Sequence, residues 1–193
     1  MCVYLSMREI TITEFTTLDG VMEAPGGEPS HPHTGWVADF QGEEHMAWKF
    51  QEIMATDALL IGRVTYESFA GAWPTYEGPF ADKMNSMPKF VVSNTLTEPE
   101  WNNTTVLAGD AVDAVRALKG TEGGPIQVPG SGTLVHALLE AGLVDRLTLM
   151  TFPVTIGRGM RVFPDSDLKR TFSLESTESF PLGVTVATYR AAS

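Results

Sequence analysis

Three short polar segments, each of which follows an apolar run, have the residue types to bind a phosphate group together. They are Gly62-Arg63-Val64-Thr65, Ser93-Asn94-Thr95 and Gly130-Ser131-Gly132-Thr133. Glycines at the start of a helix let the backbone approach an anion closely, and the free N–H groups of the first helical turn favour its charge. Serine and threonine hydroxyls and the guanidinium of Arg63 would add donors. The alternative is an ordinary strand-to-helix turn with a hydroxyl cap, and a surface ion pair at Arg63.

The elements around these segments alternate between strands and helices. Apolar runs indicate strands at 58–61, 89–92, 104–107, 126–129 and 147–154, and residues 9–16 alternate Ile10, Ile12 and Glu14 against Thr11, Thr13 and Phe15. Helical spacing marks residues 43–56, whose apolar stripe is Met46, Ala47, Phe50, Ile53 and Met54. Asp110 is a predicted helix cap, and Gly120 and Gly142 are predicted left-handed helix ends.

This alternation predicts an α/β fold with a mostly parallel mixed sheet and helices on both faces. Two further strands, 172–179 and 184–190, flank a Phe-Pro-Leu-Gly turn and predict an antiparallel hairpin at the C-terminus. In such sheets ligands bind beyond the carboxyl ends of the strands, where all three polar segments would lie.

The composition limits the class of protein. The chain of 193 residues suits a single domain, which we place at residues 7–193, and the first six residues, MCVYLS, are expected to be an extended start. A net charge of −11 disfavours a nucleic-acid partner, and the single cysteine, Cys2, excludes an internal disulfide. No stretch is long enough for a membrane span, and we expect a cytoplasmic location.

The polar segments, read with Thr17-Leu18-Asp19-Gly20 and Gly142-Leu143-Val144-Asp145, resemble the dihydrofolate reductase-like superfamily. The similarity is closer to stand-alone relatives of the C-terminal reductase domain of bacterial riboflavin biosynthesis enzymes. It implies a three-layer dihydrofolate reductase-like fold and an NADPH site. In that site Gly62 to Thr65 would contact the adenosine-side phosphates, Ser93 to Thr95 the adenosine, and Gly130 to Leu134 the pyrophosphate.

The resemblance also suggests where catalysis would occur. Asp19 would lie in the loop over the nicotinamide, although it could be an ordinary turn residue before glycine. His45 stands where dihydrofolate reductases carry a helix acid, which disfavours folate reduction, and Glu44 or Asp39 could replace that acid. Trp36, Phe40 and Trp73 are candidate walls for a planar substrate, or else core residues.

We therefore expect an NADPH-dependent reductase that transfers a hydride to a C=N or C=C bond of a small, cyclic substrate, and that forms a homodimer. A surface from residues 147–152 and the hairpin would supply the dimer contact. A non-catalytic nucleotide-binding protein and an authentic dihydrofolate reductase are the alternatives. Metal-dependent hydrolysis through His31 and His33, with Glu28 nearby, is disfavoured. The proline between the histidines and the flanking glycines indicate a flexible loop, and no third ligand stands at a fixed spacing from the two histidines.

Overall fold

The computed structural model describes residues 7–192, so the predicted extended start and Cys2 lie outside the described residues. Eight strands follow one another along the chain: β1 Ile10–Thr17, β2 Ala58–Gly62, β3 Lys89–Val92, β4 Thr104–Leu107, β5 Ile126–Pro129, β6 Arg146–Phe152, β7 Phe172–Ser179 and β8 Thr185–Ala191. They form one sheet in the order β4-β3-β2-β5-β1-β6-β8-β7. The strands at the first six positions run parallel to one another. Strand β8 runs antiparallel to β6, and β7 runs antiparallel to β8. The predicted mixed sheet with a terminal hairpin is thereby confirmed.

Five α-helices cover the two faces of this sheet: α1 Glu43–Met54, α2 Arg63–Ala72, α3 Pro79–Ser86, α4 Ala111–Lys119 and α5 Gly132–Ala141. Alternate residues of β2 show the division. Leu60 packs with α4 and α5, whereas Leu59 and Ile61 pack with residues of α1, α2 and α3. Among the described residues no helix is both long and apolar enough to cross a lipid bilayer.

Two local predictions about helices need correction. Helix α3 has no counterpart among the predicted elements, although Pro79 stands at its first position and Gly78 precedes it with φ of 101°. The predicted left-handed end at Gly120 is wrong, since that residue has an ordinary helical φ of −80°. Gly142 does end α5 in the left-handed conformation, with φ of 66°, and the Asp110 side chain caps α4 by accepting from the Asp113 amide.

The face that α1 turns to the sheet agrees only in part with the predicted one. Met46 and Met54 of the apolar stripe are 39% and 46% exposed. Lys49 and Glu52 instead lie against the sheet, where both contact the Thr13 hydroxyl at 2.8 and 3.1 Å. Phe50 and Ile53 of the stripe do pack in the core, so the prediction is wrong only for its other members, because this part of the sheet presents polar side chains to the helix.

Strand β6 cannot supply the predicted dimer surface. It lies between β1 and β8, and its residues Leu147, Met150 and Phe152 are buried within the chain itself. The C-terminal hairpin stays a candidate for the dimer contact, because β7 is an edge strand whose residues after Phe172 are all exposed.

Candidate functional site

Two of the predicted phosphate-binding segments meet at the carboxyl edge of the sheet. Ser131, which precedes α5, accepts a hydrogen bond from the Gly62 amide at 2.8 Å and donates one to the Thr65 hydroxyl at 2.7 Å. Its side chain therefore joins the end of β2 to the end of β5. Leu134 is buried in the core and anchors α5 behind this contact, whereas Val64 is 72% exposed on the outer side of α2.

The turn between β5 and α5 requires an unusual backbone. Gly130 and Ser131 have positive φ angles of 70° and 71°, a region that glycine enters freely and serine does not. The two hydrogen bonds of Ser131 hold it there. This turn brings the start of α5, Gly132 and Thr133, to the edge of the sheet, where the first N–H groups of a helix have no partner within the helix.

The third segment follows β3 and folds on itself. The Ser93 hydroxyl accepts hydrogen bonds from the amides of Thr95 and Leu96 at 3.1 and 3.0 Å. The Asn94 side chain binds both backbone groups of Gly109, which follows β4, at 2.6 and 3.2 Å. The turn is thus preformed, and Thr95 is exposed beside it.

Arg63 begins α2 and already has a partner. Its guanidinium donates to Glu67, one helical turn later, at 2.6 Å, and the two side chains are about half exposed. The predicted alternative of a surface ion pair therefore exists in the structure. An incoming phosphate would compete with a carboxylate for Arg63, and an exposed pair of this kind is weak, at about 0–1 kcal/mol.

Asp19 holds a loop, residues 156–161, that no sequence pattern indicated as part of the site. Its carboxylate accepts from the Thr17 hydroxyl at 2.5 Å and from the Gly157 amide at 2.7 Å. These hydrogen bonds, first that of Thr17, lower the pKa of Asp19 below its usual value. Met160, three residues after Gly157, places its side chain over Gly132. A Cβ added to that glycine would come within 2.5 Å of the Met160 side chain. The loop 156–161 consequently covers the start of α5.

Glu14 is a buried carboxyl beneath the same turn. It lies on β1, is 4% exposed, and accepts a hydrogen bond from the Gly130 amide at 2.9 Å. Burial raises the pKa of Glu14 well above its usual value, and the nearby charge of Lys49 opposes that shift only in part. The sequence signal was an acidic residue on the strand face that also carries Ile10 and Ile12. The sequence alone could not show that this residue lies beneath the Gly130 turn, because the two are distant in the chain.

The region of the expected helix acid contains a buried histidine and exposed acids. His45 is 2% exposed and stands edge-on to the rings of Phe152 and Phe180, at 5.9 and 6.4 Å between centroids. Its Nδ1 is buried without a partner among the described residues, and desolvation lowers the pKa of His45. Glu44 and Asp39 are both exposed.

The predicted aromatic walls separate into two groups. Trp36 and Phe40, in the short 3-10 helix Trp36–Phe40, pack on Phe152 with centroid distances of 5.6 and 5.9 Å. Trp73 lies elsewhere, against Phe80 at 5.0 Å, in the core beneath α2 and α3. The structure thus brings only the first two beside His45.

His31 and His33 contact each other and a neighbouring loop. The His33 amide donates to Nδ1 of His31 at 3.0 Å, which leaves Nε2 of His31 to donate to the Arg158 carbonyl at 3.0 Å. Both ring nitrogens of His31 are therefore used within the chain. In the described part of the chain no three His, Cys, Asp or Glu side chains are grouped to hold a metal ion.

The strand order and the helices on both faces are those of the dihydrofolate reductase-like fold, and solved structures agree. A putative riboflavin biosynthesis protein from Shewanella sp. PV-4 superposes with a TM-score of 0.75 at 22% identity, covering 96% of this chain and 99% of that one. Dihydrofolate reductase from Enterococcus faecalis, solved with NADP(H) and RAB-propyl, has a TM-score of 0.62 at 17% identity, over 96% and 97% of the two chains.

Sequence comparison then identifies the family. The RibD C-terminal domain family matches residues 8–186, so the chain belongs to that family, and family and fold together are those of a reductase. The chain is also similar to the Bacillus subtilis (strain 168) protein YyaP, with 27% identity over 194 residues and 96% coverage of each chain.

Proposed function

We propose that this protein is an NADPH-dependent reductase that transfers a hydride to a C=N or C=C bond of a small cyclic substrate. The observation that carries the proposal is the contact between Ser131 and the Gly62–Thr65 segment. It joins two loops at the carboxyl edge of the sheet, where this class of fold binds its ligands.

The residues at this edge suit a dinucleotide. Gly130 needs no side chain in its left-handed conformation, and the free amides at the start of α5 and the hydroxyl of Thr133 would hold the pyrophosphate. The side chain over Gly132 is that of Met160, which is flexible enough to move aside. Bound NADPH would supply the hydride, and the protein would orient the two reactants.

Glu14 supports an anionic ligand at this turn. A charged carboxylate beneath Gly130 would repel a pyrophosphate, and the burial that raises the pKa of Glu14 favours its neutral form and so weakens that repulsion. Asp19 would hold loop 156–161 over the start of α5 through its hydrogen bonds with Thr17 and Gly157. Glu44 stays a candidate proton donor only through water, because its side chain is exposed.

The environment of His45 supports the expectation of weak folate reduction. A pterin presents two neighbouring donors, which a carboxylate accepts together and a neutral imidazole cannot. The ring of His45 is moreover enclosed by Phe152, Phe180 and the backbone of Gly42. Trp36 is a core residue, 5% exposed, so we expect a substrate bounded by Phe40 that does not depend on a helix carboxylate.

Cofactor binding and turnover test the proposal separately. NADPH fluorescence should show saturable binding to the wild type, and Gly130→Ala should weaken it at least about tenfold, because a side chain at this φ strains the turn. Gly71→Ala, in α2 with open space around it, is the matched control.

Two outcomes would contradict the proposal of an NADPH-dependent reductase. Absence of NADPH binding by the wild type would refute the cofactor assignment. Binding without NADPH oxidation in the presence of dihydrofolate, ribityl-pyrimidines, quinones and imines would favour the non-catalytic alternative.

A further inference from the structure

Glu14 extends the hydrogen-bond ladder between β1 and β5 by one side-chain contact. The two strands are paired up to Thr13 and Pro129, where β5 ends and the chain turns toward α5. The next amide, that of Gly130, has left the ladder and donates instead to Oε1 of Glu14 at 2.9 Å. The carboxyl group therefore takes the place of a strand and fixes the direction of the Gly130 peptide at the start of the turn.

This contact holds one of the two left-handed residues in the turn. Gly130 and Ser131 have φ angles of 70° and 71°. The hydroxyl of Ser131 holds the second residue through its hydrogen bonds with Gly62 and Thr65, whereas Glu14 holds the first. Both contacts are needed to bring the start of α5 to the edge of the sheet, where the proposed cofactor would bind.

A carboxyl group is a costly choice for this position. Glu14 is only 4% exposed, and a glutamine of the same shape would accept the same hydrogen bond without burying an ionisable group. Oε2 of Glu14 has no hydrogen-bond partner among residues 7–192, and it is not one of the fully buried polar atoms of that part of the chain. Oε2 is therefore the atom that can gain or lose a proton. An ionisable group in such a place indicates that its charge state acts on a ligand.

The charges near Glu14 act in opposite directions and do not fix its protonation state. Lys49 favours the ionised form and Glu52 opposes it, and these two side chains of α1 are paired with each other at 2.6 Å. In β6 the residue opposite Glu14 is Leu149. Charged groups on the other adjacent segments are bound elsewhere or lie at the surface: Asp19 to Thr17 and Gly157, Glu23 to the Met160 amide, His136 to the Arg161 carbonyl, the Arg161 guanidinium to the Gly157 carbonyl, and Glu140 exposed on α5. Burial is then the largest influence, and it raises the pKa of Glu14.

We propose that Glu14 is a positioning residue for the cofactor, and that the dinucleotide binds with Glu14 protonated at Oε2, so that binding is accompanied by uptake of one proton. The proton comes from solvent and stays on Oε2, and no bond of the cofactor breaks. A pyrophosphate over the turn disfavours the ionised carboxylate beneath it, whereas the protonated carboxyl still accepts from the Gly130 amide. This inference rests on the proposed function, because it needs a phosphate group at the turn.

Fluorescence titrations with NADPH from about pH 5 to about pH 9 test the charge of Glu14. Glu14→Gln keeps the acceptor and cannot ionise. The Kd of the wild type should equal that of Glu14→Gln at low pH, and should become about tenfold weaker than that of the variant as pH rises through the folded pKa of Glu14. Taking this ratio cancels the titration of the phosphate groups of NADPH itself. Glu140→Gln, at an exposed position of α5, is the matched control and should keep the wild-type profile.

A variant without the acceptor tests the positioning role. Glu14→Leu leaves the Gly130 amide without a partner and should weaken NADPH binding about tenfold at every pH, whereas Glu14→Gln should bind at low pH like the wild type. If Glu14→Leu does not fold, the wild type alone carries the test. The carboxyl ¹³C signal of Glu14 should titrate at a higher pH with saturating NADPH than without it, because the effect of proton and cofactor on each other is reciprocal.

The outcomes separate this inference from the proposed function. Saturable NADPH binding with the same pH profile in the wild type and Glu14→Gln, or a Glu14 signal whose midpoint NADPH does not move, would overturn the role of Glu14 and leave the cofactor site intact. Absence of NADPH binding at every pH in the wild type and in Glu14→Gln would refute the cofactor site, and the role of Glu14 with it.

Discussion

Arg63 offers the sharpest test of cofactor choice, because the structure shows which ion pair its guanidinium must break to bind a phosphate. In the structure it binds Glu67 at 2.6 Å in an exposed pair that contributes about 0–1 kcal/mol. A charge-assisted hydrogen bond to the 2′-phosphate of NADPH would contribute about 1.5–3 kcal/mol. The difference leaves a preference for NADPH over NADH of about 0.5–3 kcal/mol, or roughly 2- to 150-fold in Kd.

Two variants separate the terms of this estimate. Arg63→Ala should bring the Kd of NADPH to that of NADH without changing the latter. Glu67→Gln releases the guanidinium from its partner and should tighten NADPH binding by up to about fivefold, again with NADH unchanged. Arg116→Ala is the matched control, since it removes an exposed arginine that is paired within α4 to Asp113.

Fluorescence titration with both cofactors at two salt concentrations would measure these ratios. The wild-type preference should shrink at high salt, because exposed charges are screened. Equal affinity of the wild type for NADPH and NADH would refute the assignment of Arg63, and so would a preference that survives Arg63→Ala. A preference that shrinks in Arg116→Ala as much as in Arg63→Ala would show that overall charge decides the ratio.

Five further outcomes are expected. Lys89→Met should lower the free energy of unfolding by about 3 kcal/mol in urea titrations, with exposed Lys169→Met as control, because the buried ammonium donates to three backbone carbonyls. Burial lowers the pKa of Lys89 to about 8, so the unfolded chain binds more protons above that pH, and the wild type should gain stability relative to Lys89→Met between about pH 8 and about pH 10. For Glu14, whose pKa is raised, the wild type should lose stability as pH rises from about 4.3 through the folded value, whereas Glu14→Gln should not; equal pH profiles in urea would contradict this. Dihydrofolate should be reduced with kcat/KM below about 10⁴ M⁻¹s⁻¹, and a faster rate would point to a functional acid beside His45. Light scattering should give twice the 21.0 kDa chain mass, and a monomer would reject the homodimer.

Local chemistry made much of the fold predictable. Strand β5, its turn and helix α5 could be predicted because the apolar run, the two glycines and the helical stripe are consecutive in the chain. The same holds for the C-terminal hairpin around its Pro-Leu-Gly turn. Parallel strands place their carboxyl ends at one edge, so the meeting of the Gly62 and Gly130 segments also followed from the pattern. The assignment of NADPH and of individual site residues stays a prediction.

Tertiary structure decided which side chains face each other across elements that are distant in the chain. The turn at Gly130 meets Glu14 from 116 residues away, and Asp19 holds the amide of Gly157 from 138 residues away. The face of α1 shows the reason. Helical periodicity selects the apolar side of an isolated helix, but the sheet opposite α1 carries threonines and Gln127, so Lys49 and Glu52 turn inward while Met46 and Met54 stay exposed. A helix pattern records one partner of a contact, and the free energy of burial depends on both.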